Sequence, residues 1–249
     1  MRYEFKRLDV LGAFYPNHPH HNVRHVAVKD AILRCGATEV LVLGCGKGLV
    51  EYLLPDGPPC VSLDISEKEI EAARQVNRYK RNREFYVCDI FRCGETLVNR
   101  KFSVISISEV IEHLDQDELA LRTACDHMLP GGWLVLTVPN KMRFHNWLLA
   151  RLGRKPFLMT GDHVREYTFA SASRLLTEVG LRIAWWKGVW FDFPRPYQVE
   201  KFISPYSKAR IILASLLPHH ATYFLLGCRF VASRPGADSV AMVGGNKVP

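Results

Sequence analysis

Closely spaced pairs of cysteines are missing from this sequence, although the chain has seven cysteines, an odd number, in 249 residues. No two of them stand at the C-x-x-C spacing of zinc ribbons and redox dithiols, so the pattern argues against both kinds of site. Most of the cysteines lie inside apolar runs, where reduced thiols are common. We therefore expect a reducing compartment and predict a cytoplasmic location.

The sequence also lacks an apolar leader and an unbroken membrane span. Its first ten residues, MRYEFKRLDV, contain none of the apolar core that a signal peptide needs. A stretch of 18 residues over 211–228 carries no Asp, Glu, Lys or Arg, which is near the lower length limit for a span. Pro218 interrupts this stretch, so a helix ending at Leu217 and a strand from Thr222 explain it better. We predict no transmembrane segment.

Charge of one sign is only moderately in excess, since 33 Lys and Arg residues face 25 Asp and Glu residues, a formal net charge of +8. The basic residues are spread out, with small clusters at 80–83 and 151–155, and no recognisable RNA-binding module is present. A solvated surface is the favoured interpretation, and a path for an anionic substrate is the alternative. Apolar residues make up 48% of the chain, which excludes a largely disordered protein.

Short apolar runs alternate with helical patterns, which predicts an α/β fold with a doubly wound, mostly parallel sheet. Runs that are apolar nearly throughout are typical of strands covered on both faces. The predicted strands are EVLVL (39–43), CVSLD (60–64), EFYVC (84–88), FSVISI (102–107) and WLVLTV (133–138), followed by a hairpin-like pair over 181–190 and 222–232 with a helix over 205–217 between them.

Polar residues with capping chemistry mark the predicted helix starts. Ser66 followed by Glu69 is typical of a capping box, and Asp115 followed by Glu118 suggests a second start. Thr168 is the candidate cap of a later helix.

The same pattern divides the chain into three parts. The divisions are an N-terminal helical cap (1–35), a main domain (36–232) with insertions over 140–168 and 192–220, and a flexible tail (233–249).

A glycine-rich turn, Gly44-Cys45-Gly46-Lys47-Gly48, follows the first predicted strand. Glycines let the backbone approach a ligand closely, and the helix start that follows offers free N–H groups. The spacing is G-x-G-x-G and departs from the dinucleotide fingerprint G-x-G-x-x-G, because Leu49 stands where the last glycine would be. A tight strand-to-helix turn uses glycines for steric reasons alone, so this turn by itself does not decide the function.

Acidic residues end the next two predicted strands. Asp64 stands 20 residues after Gly44, and Asp89 follows the third strand. A carboxylate at the end of the second strand can accept both hydroxyls of a ribose. Three consecutive strand ends with polar features predict a ligand site at the carboxyl edge of the sheet. The alternative is that Asp64 only begins the turn before Ser66.

Five segments together carry a family resemblance. In order and spacing, VLVLGCGKG, VSLDIS, FYVCDIF, ISEVIEHL and LPGGWLVLTVPN resemble the class I S-adenosylmethionine-dependent methyltransferases. The resemblance implies a seven-stranded sheet with helices on both faces, an antiparallel last strand, and S-adenosylmethionine as the cofactor. It also implies these cofactor contacts: Gly44, Cys45, Gly46 and Gly48 beside the methionine part, Asp64 on the ribose hydroxyls, Asp89, Ile65 and Ile90 around the adenine, and Ser108 and Glu109 near the sulfonium.

Two positions depart from that family's pattern. Many members have an acid in the first strand where this chain has Val42, and an Asp opening the fourth strand where it has Ser103. The first change removes a polar contact near the cofactor's amino group. A cofactor-binding protein without catalytic activity is therefore one alternative.

The segment Glu109-Val-Ile-Glu112-His113 gathers groups that can catalyse or bind a metal. Spacings of three and four place Glu109, Glu112 and His113 on one side of a predicted helix start. Such a set can hold Mg²⁺, Mn²⁺ or Zn²⁺, and resemblance to ubiquinone-pathway O-methyltransferases and small-RNA 2′-O-methyltransferases would make His163 the fourth ligand. The favoured alternative is a metal-free pocket in which His113 or His163 is the general base.

Three functions remain open on these residues. The first is methyl transfer to a hydroxyl of a small molecule. The second is 2′-O-methylation of RNA with a divalent metal, which the net charge favours mildly. The third is the inactive cofactor-binding partner protein.

Overall fold

The computed structural model describes residues 19–193 and 208–231. Most of the first half of the predicted cap (1–35), the centre of the insertion over 192–220 and the predicted tail (233–249) lie outside the described residues. Within the described part of the chain, no helix is long and apolar enough to cross a membrane.

Seven strands form one sheet in the described residues, in the order β3-β2-β1-β4-β5-β7-β6. The strands are β1 (Val40–Leu43), β2 (Cys60–Asp64), β3 (Arg83–Val87), β4 (Phe102–Ser108), β5 (Met128–Pro139), β6 (Leu181–Val189) and β7 (Tyr223–Phe230). Strands β1 to β5 pair in parallel, whereas β7 is antiparallel to both β5 and β6. The predicted fold class, including the reversed last strand, is confirmed.

Helices cover both faces of this sheet. They are α1 (Pro19–Arg34), α2 (Leu49–Leu53), α3 (Glu67–Val76), α4 (Cys93–Thr96), α5 (Asp117–Cys125), α6 (Phe144–Arg151), α7 (Phe169–Glu178) and α8 (Lys208–Leu216). Single 3₁₀ turns occur at Ile90–Arg92, Ile111–His113 and Pro218–His220.

The central strand β1 shows why its sequence is apolar throughout. Leu41 and Leu43 pack into the hydrophobic cluster on one face of the sheet. Val40 and Val42 pack into the cluster on the other face, together with residues of α1. Since successive side chains of a strand point to opposite faces, a strand buried on both faces needs apolar residues at every position.

The position of β1 also fixes the place of a ligand site. The chain runs outward through β2 and β3 on one side of β1, and through β4 and β5 on the other. The loops that follow β1 and β4 therefore leave the sheet on opposite faces, and a crevice opens between them at the carboxyl edge.

Two of the three predicted helix caps are present. The Ser66 hydroxyl accepts a hydrogen bond from the Glu69 N–H at 3.3 Å, at the start of α3. Thr168 and Ser171 form a reciprocal capping box at the start of α7. Both side chains replace backbone partners that the first helical turn lacks.

The predicted helix start at Asp115 is wrong. Helix α5 begins at Asp117, after Gln116, without a side-chain cap. Asp117 accepts a hydrogen bond from the Tyr167 hydroxyl at 2.7 Å and pairs with Arg165. The Asp117 carboxylate therefore makes tertiary contacts with the segment before α7 and is not the N-cap of its own helix.

Candidate functional site

The glycine-rich turn after β1 needs its glycines for conformation and for space. Gly44, Gly46 and Gly48 have φ values of 74°, 50° and 67°, in the left-handed region that favours glycine. A Cβ on Gly44 would come within 2.2 Å of the Val110 side chain. The turn is therefore held tightly against the end of β4.

Asp64 faces this turn from the end of β2. Its Oδ2 accepts a hydrogen bond from the Gly46 N–H at 2.8 Å, and its Oδ1 accepts one from the Ser66 N–H at 2.9 Å. Each carboxylate oxygen keeps a second lone pair. The carboxylate thus has a fixed orientation and can still accept hydrogen bonds from a ligand.

A cleft of about 420 Å³ opens at the carboxyl edge, where the crevice is expected. The predicted cofactor residues that line it are Gly44, Cys45, Gly46, Asp64, Ile65, Asp89, Ile90, Ser108 and Glu109. Gly48 lies behind the turn, where a Cβ would come within 2.6 Å of the Asn77 side chain and 3.0 Å of the Ala73 side chain. Burial raises the pKa of the Cys45 thiol, so this thiol stays protonated.

Helix α1 closes one side of the cleft with residues that the sequence analysis did not single out. His21, Arg24 and His25 line the cleft. Arg24 lies 3.4 Å from Oε2 of Glu109 and above the Tyr223 ring, 5.1 Å from its centroid. No motif marks Arg24 in the sequence, since its partner in the site lies 85 positions away.

Glu109 occupies an unusual backbone conformation at the end of β4. Its φ is 55°, although it is not a glycine. Its buried carboxylate accepts a hydrogen bond from the Thr137 hydroxyl at 3.1 Å. Burial raises the pKa of Glu109, and the nearby Arg24 guanidinium opposes that shift. Non-glycine residues in the left-handed region cluster at functional sites.

Three donor groups meet beside the cleft. Ligand atoms of Glu112, His113 and His163 lie within 4.8 Å of one another. The two imidazole rings meet edge to face, with centroids 4.8 Å apart. Neither carboxylate oxygen of the fully buried Glu112 has a hydrogen-bond partner among the described residues. Burial, with the charge of Glu109, raises the pKa of Glu112 to about 9, and burial lowers the pKa of His163.

Glu109, the remaining member of the predicted four-ligand set, is not among the residues whose ligand atoms lie within 4.8 Å of one another. The sequence spacing assumes a helix from Glu109 to His113. In the structure Glu109 is left-handed, Val110 has φ −127°, and only Ile111–His113 form a single 3₁₀ turn. The chain therefore turns differently from an α-helix, and the Glu109 carboxylate points to Arg24 instead. The prediction of one shared helical side is wrong.

A second cavity of about 530 Å³ adjoins the cleft. Four residues line both spaces: His21, Arg24, Glu109 and His113. The other walls of the second cavity come largely from the insertion between β5 and α7 and from the segment after β6; they include Arg143, His145, Phe157, Met159, His163 and Phe193.

A family model described as a methyltransferase domain matches residues 20–184, more than half of the chain. The chain belongs to this methyltransferase family. The assignment to the class I S-adenosylmethionine-dependent methyltransferases, made from the sequence, is thereby confirmed.

Relatives of this methyltransferase include ubiquinone biosynthesis O-methyltransferases. The human mitochondrial protein is 26% identical over 148 residues, covering 53% of this chain and 40% of the human protein. The Thiobacillus denitrificans protein is 26% identical over 174 residues, covering 65% of this chain and 72% of its relative. The aligned part thus spans about two-fifths of the length of the human relative.

Solved structures share the fold of this methyltransferase. The N-methyltransferase NodS from Bradyrhizobium japonicum, in complex with S-adenosyl-l-homocysteine, has a TM-score of 0.57 and 17% identity, covering 85% of this chain and 88% of its own. Magnesium protoporphyrin IX methyltransferase from Synechocystis, with the same bound molecule, has a TM-score of 0.59 and 15% identity, covering 85% and 84%. At these identities the likeness establishes the fold.

The two departures from the family pattern have different places in this methyltransferase. Val42 lines the cleft and is buried, so its wall position is apolar. Ser103 lies at the opposite end of β4, where its hydroxyl accepts hydrogen bonds from the N–H groups of Thr38 and Glu39 at 2.9 and 3.0 Å. Ser103 therefore stabilises the chain next to the sheet, and of the two changed positions only Val42 lies in the cleft wall.

Proposed function

We propose that this chain binds S-adenosylmethionine in the cleft and transfers its methyl group to a hydroxyl of a small molecule in the second cavity. The observation that carries the proposal is the shared wall of the two spaces, formed by His21, Arg24, Glu109 and His113. A volume of about 530 Å³ is typical of small-molecule pockets. The O-methyltransferase relatives support a hydroxyl as the acceptor.

Cofactor recognition in this proposal rests on two charged features. Asp64 would accept hydrogen bonds from the ribose hydroxyls with its remaining lone pairs. Arg24 and Glu109 form a pair of opposite charges that is complementary to the carboxylate and the ammonium group of the methionine part. Glu109 would thus supply the negative charge that many relatives place where this chain has Val42.

Methyl transfer needs little help beyond alignment, because the sulfonium carbon is already activated. The shared wall would hold the acceptor oxygen in line with that carbon and exclude water. The acceptor hydroxyl must lose a proton, and an unprotonated nitrogen of His113 or His163 would take it. Burial favours the neutral imidazole of His163, since it lowers the pKa of that ring.

Three residues beside this wall also fit a divalent cation, which is the finer part of the proposal. Glu112, His113 and His163 bring a carboxylate and two imidazoles together, and the Glu112 oxygens lack other partners among the described residues. A cation bound there would supply positive charge that lowers the pKa of the acceptor hydroxyl. Glu112, His113 and His163 would hold it, and Glu112 would give up its proton to do so.

In this proposal the predicted cap and the predicted main domain form one site together. The main domain over 36–232 would contain the cofactor edge of the sheet. The cap over 1–35 would act as part of the same site, because α1 contributes Arg24 to the cleft wall. The cytoplasmic location stays a prediction.

Calorimetric titration with S-adenosylhomocysteine tests the cofactor site. Asp64→Ala should abolish detectable binding, whereas Glu71→Ala, which removes an exposed acid from α3, should bind like the wild type. Arg24→Gln should weaken binding, because it removes the charge opposite the methionine carboxylate. Unchanged affinity in Asp64→Ala would show that the cofactor site is assigned wrongly.

A transfer assay with methyl-labelled S-adenosylmethionine tests the acceptor class. Cell extract divided into small-molecule and RNA fractions should give label in the small-molecule fraction, on oxygen. His163→Ala should keep the wild-type affinity for S-adenosylhomocysteine and lose transfer, and a fully active variant would remove His163 from the mechanism. Loss of transfer with a chelator, restored by Mg²⁺ or Mn²⁺, would support the cation. Label found in RNA would contradict the small-molecule assignment.

A further inference from the structure

The imidazoles of His113 and His163 turn the same ring nitrogen toward oxygens of one short segment, residues 162–166. Nδ1 of His113 lies 3.2 Å from the backbone carbonyl of Asp162 and 3.3 Å from its Oδ2. Nδ1 of His163 lies 3.4 Å from Oε1 of Glu166. The segment therefore places an oxygen acceptor opposite each Nδ1.

Glu166 is surrounded by hydrogen-bond donors. Its side chain is fully buried, and its Oε2 accepts a hydrogen bond from Nη1 of Arg143 at 2.5 Å. Its Oε1 also accepts the N–H of Met159. Because the two oxygens of Glu166 already accept from a guanidinium and a backbone N–H, the side chain faces Nδ1 of His163 as an acceptor, and we place the hydrogen on Nδ1. The same reasoning applies to His113, because a backbone carbonyl can only accept.

The consequence lies on the other side of each ring. When Nδ1 carries the hydrogen of a neutral imidazole, Nε2 carries the lone pair. His113 and His163, which form one group with Glu112, then both offer Nε2 as a base or as a ligand. Second partners that orient histidine in this way are common around catalytic and metal-binding imidazoles.

We propose that Glu166 is a positioning residue that fixes the tautomer and orientation of His163, and that Asp162 does the same for His113. The inference rests on the proposed role of the two histidines in methyl transfer. Neither acid needs to touch the acceptor or the cofactor. Their effect is exerted through the nitrogen that each histidine presents.

The same segment also has a structural function that a test must separate. Nη2 of Arg143 and Nδ2 of Asn146 donate to the carbonyl of Phe157, at 2.7 and 2.9 Å. These bonds hold the loop that carries His163 against α6. Asn146 supports the loop without contacting His163, so Asn146→Ala serves as the matched control for a loosened loop.

The decisive substitution is Glu166→Gln, which keeps the shape of the side chain. The charged Arg143 should attract the amide oxygen of the new side chain, because charge-assisted hydrogen bonds are the stronger ones. The amide NH₂ would then take the place of Oε1, so it would no longer accept the Met159 N–H and would donate to Nδ1 of His163. The neutral ring should therefore change to the tautomer with the hydrogen on Nε2, and the lone pair would move to Nδ1.

Nitrogen NMR of ¹⁵N-histidine-labelled protein, at a pH where the ring is neutral, reads the tautomer directly. The wild type, Asn146→Ala and the exposed Glu178→Gln should all show His163 with its hydrogen on Nδ1. Glu166→Gln should show the hydrogen on Nε2. A wild-type ring with its hydrogen on Nε2, or an unchanged tautomer in Glu166→Gln, would overturn the inference.

A second measurement tests whether the lone pair on Nε2 of His163 contributes to binding of Mn²⁺. Titration of the cofactor-loaded protein with Mn²⁺ should give an affinity about 10- to 100-fold weaker for Glu166→Gln than for Glu178→Gln, the typical effect of losing such a partner. Equal affinities would contradict the positioning role. The proposed function is tested independently of this inference. A fully active His163→Ala would exclude His163 from methyl transfer, whereas the tautomer measured by NMR would be unaffected by that result.

Discussion

Glu51 should make the stability of this protein fall as the pH rises, against the usual behaviour of carboxylates. It lies in the first turn of α2, directly after the glycine-rich turn, and its side chain is fully buried. The Ser62 hydroxyl donates a hydrogen bond to its Oε1 at 2.7 Å, and its Oε2 has no partner among the described residues. Burial is the largest cause that raises the pKa of Glu51, from 4.5 to about 7.

The sign and size of the effect follow from linkage. Below pH 4.5 both the folded and the unfolded chain keep the proton, and stability is highest with respect to this group. Between pH 4.5 and about pH 7 the unfolded chain loses the proton while the folded chain keeps it, so the free energy of unfolding decreases as the pH rises. Each pKa unit corresponds to about 1.4 kcal/mol, so the loss from pH 4 to pH 8 is about 3 kcal/mol.

Urea unfolding of the wild type and of Glu51→Gln at pH 5 and pH 8 measures this effect. The substitution keeps the acceptor for Ser62 and removes the titration, and the difference between the two proteins cancels all other groups. The advantage of Glu51→Gln should be about 2.5 kcal/mol larger at pH 8 than at pH 5. An advantage that is independent of pH would refute the reasoning, and Glu71→Gln, an exposed acid, should show no such trend.

Three further substitutions test packing and backbone conformation. Gly44→Ala should weaken binding of S-adenosylhomocysteine in calorimetry far more than Gly131→Ala, because both have positive φ but only the first would bring a Cβ within 2.2 Å of Val110. Gly131→Ala should cost only about 1 kcal/mol in urea unfolding, the left-handed strain alone. Thr168→Ala should lower the free energy of unfolding by about 1 kcal/mol, since the capping box of α7 is lost. Gly227→Ala should lower the thermal midpoint clearly, because its Cβ would lie 2.1 Å from an indole ring of β6; an unchanged midpoint would contradict this packing.

The cleft at the carboxyl edge was predictable because its sequence signals are local. Apolar runs place the strands, glycines mark the turn, and an acid at the end of β2 follows at a fixed distance. The parallel topology then brings these strand ends together without further information. Asp64 and the glycine-rich turn meet in the structure for this reason.

The predicted metal set shows where such reasoning stops. Spacing predicts a shared face only if the segment is an α-helix, and the left-handed backbone of Glu109 breaks that condition. The structure keeps Glu112, His113 and His163 together and directs Glu109 to Arg24. The positive φ of Glu109 gives the segment this conformation, and no residue type in the segment predicts a positive φ there.

By itself, then, the order of residues determined the strands and the edge that carries the predicted cofactor residues, because these follow from repeating apolar patterns and short turns. The family resemblance added the seven-stranded sheet with its reversed strand. Only the tertiary structure decided which charges meet across that edge. Arg24 reaches Glu109 because α1 packs over the cleft, and Arg143 reaches Glu166 because the loop folds back onto α6. Contacts between distant segments depend on how helices and loops pack, and a pattern of neighbouring residues does not contain that information.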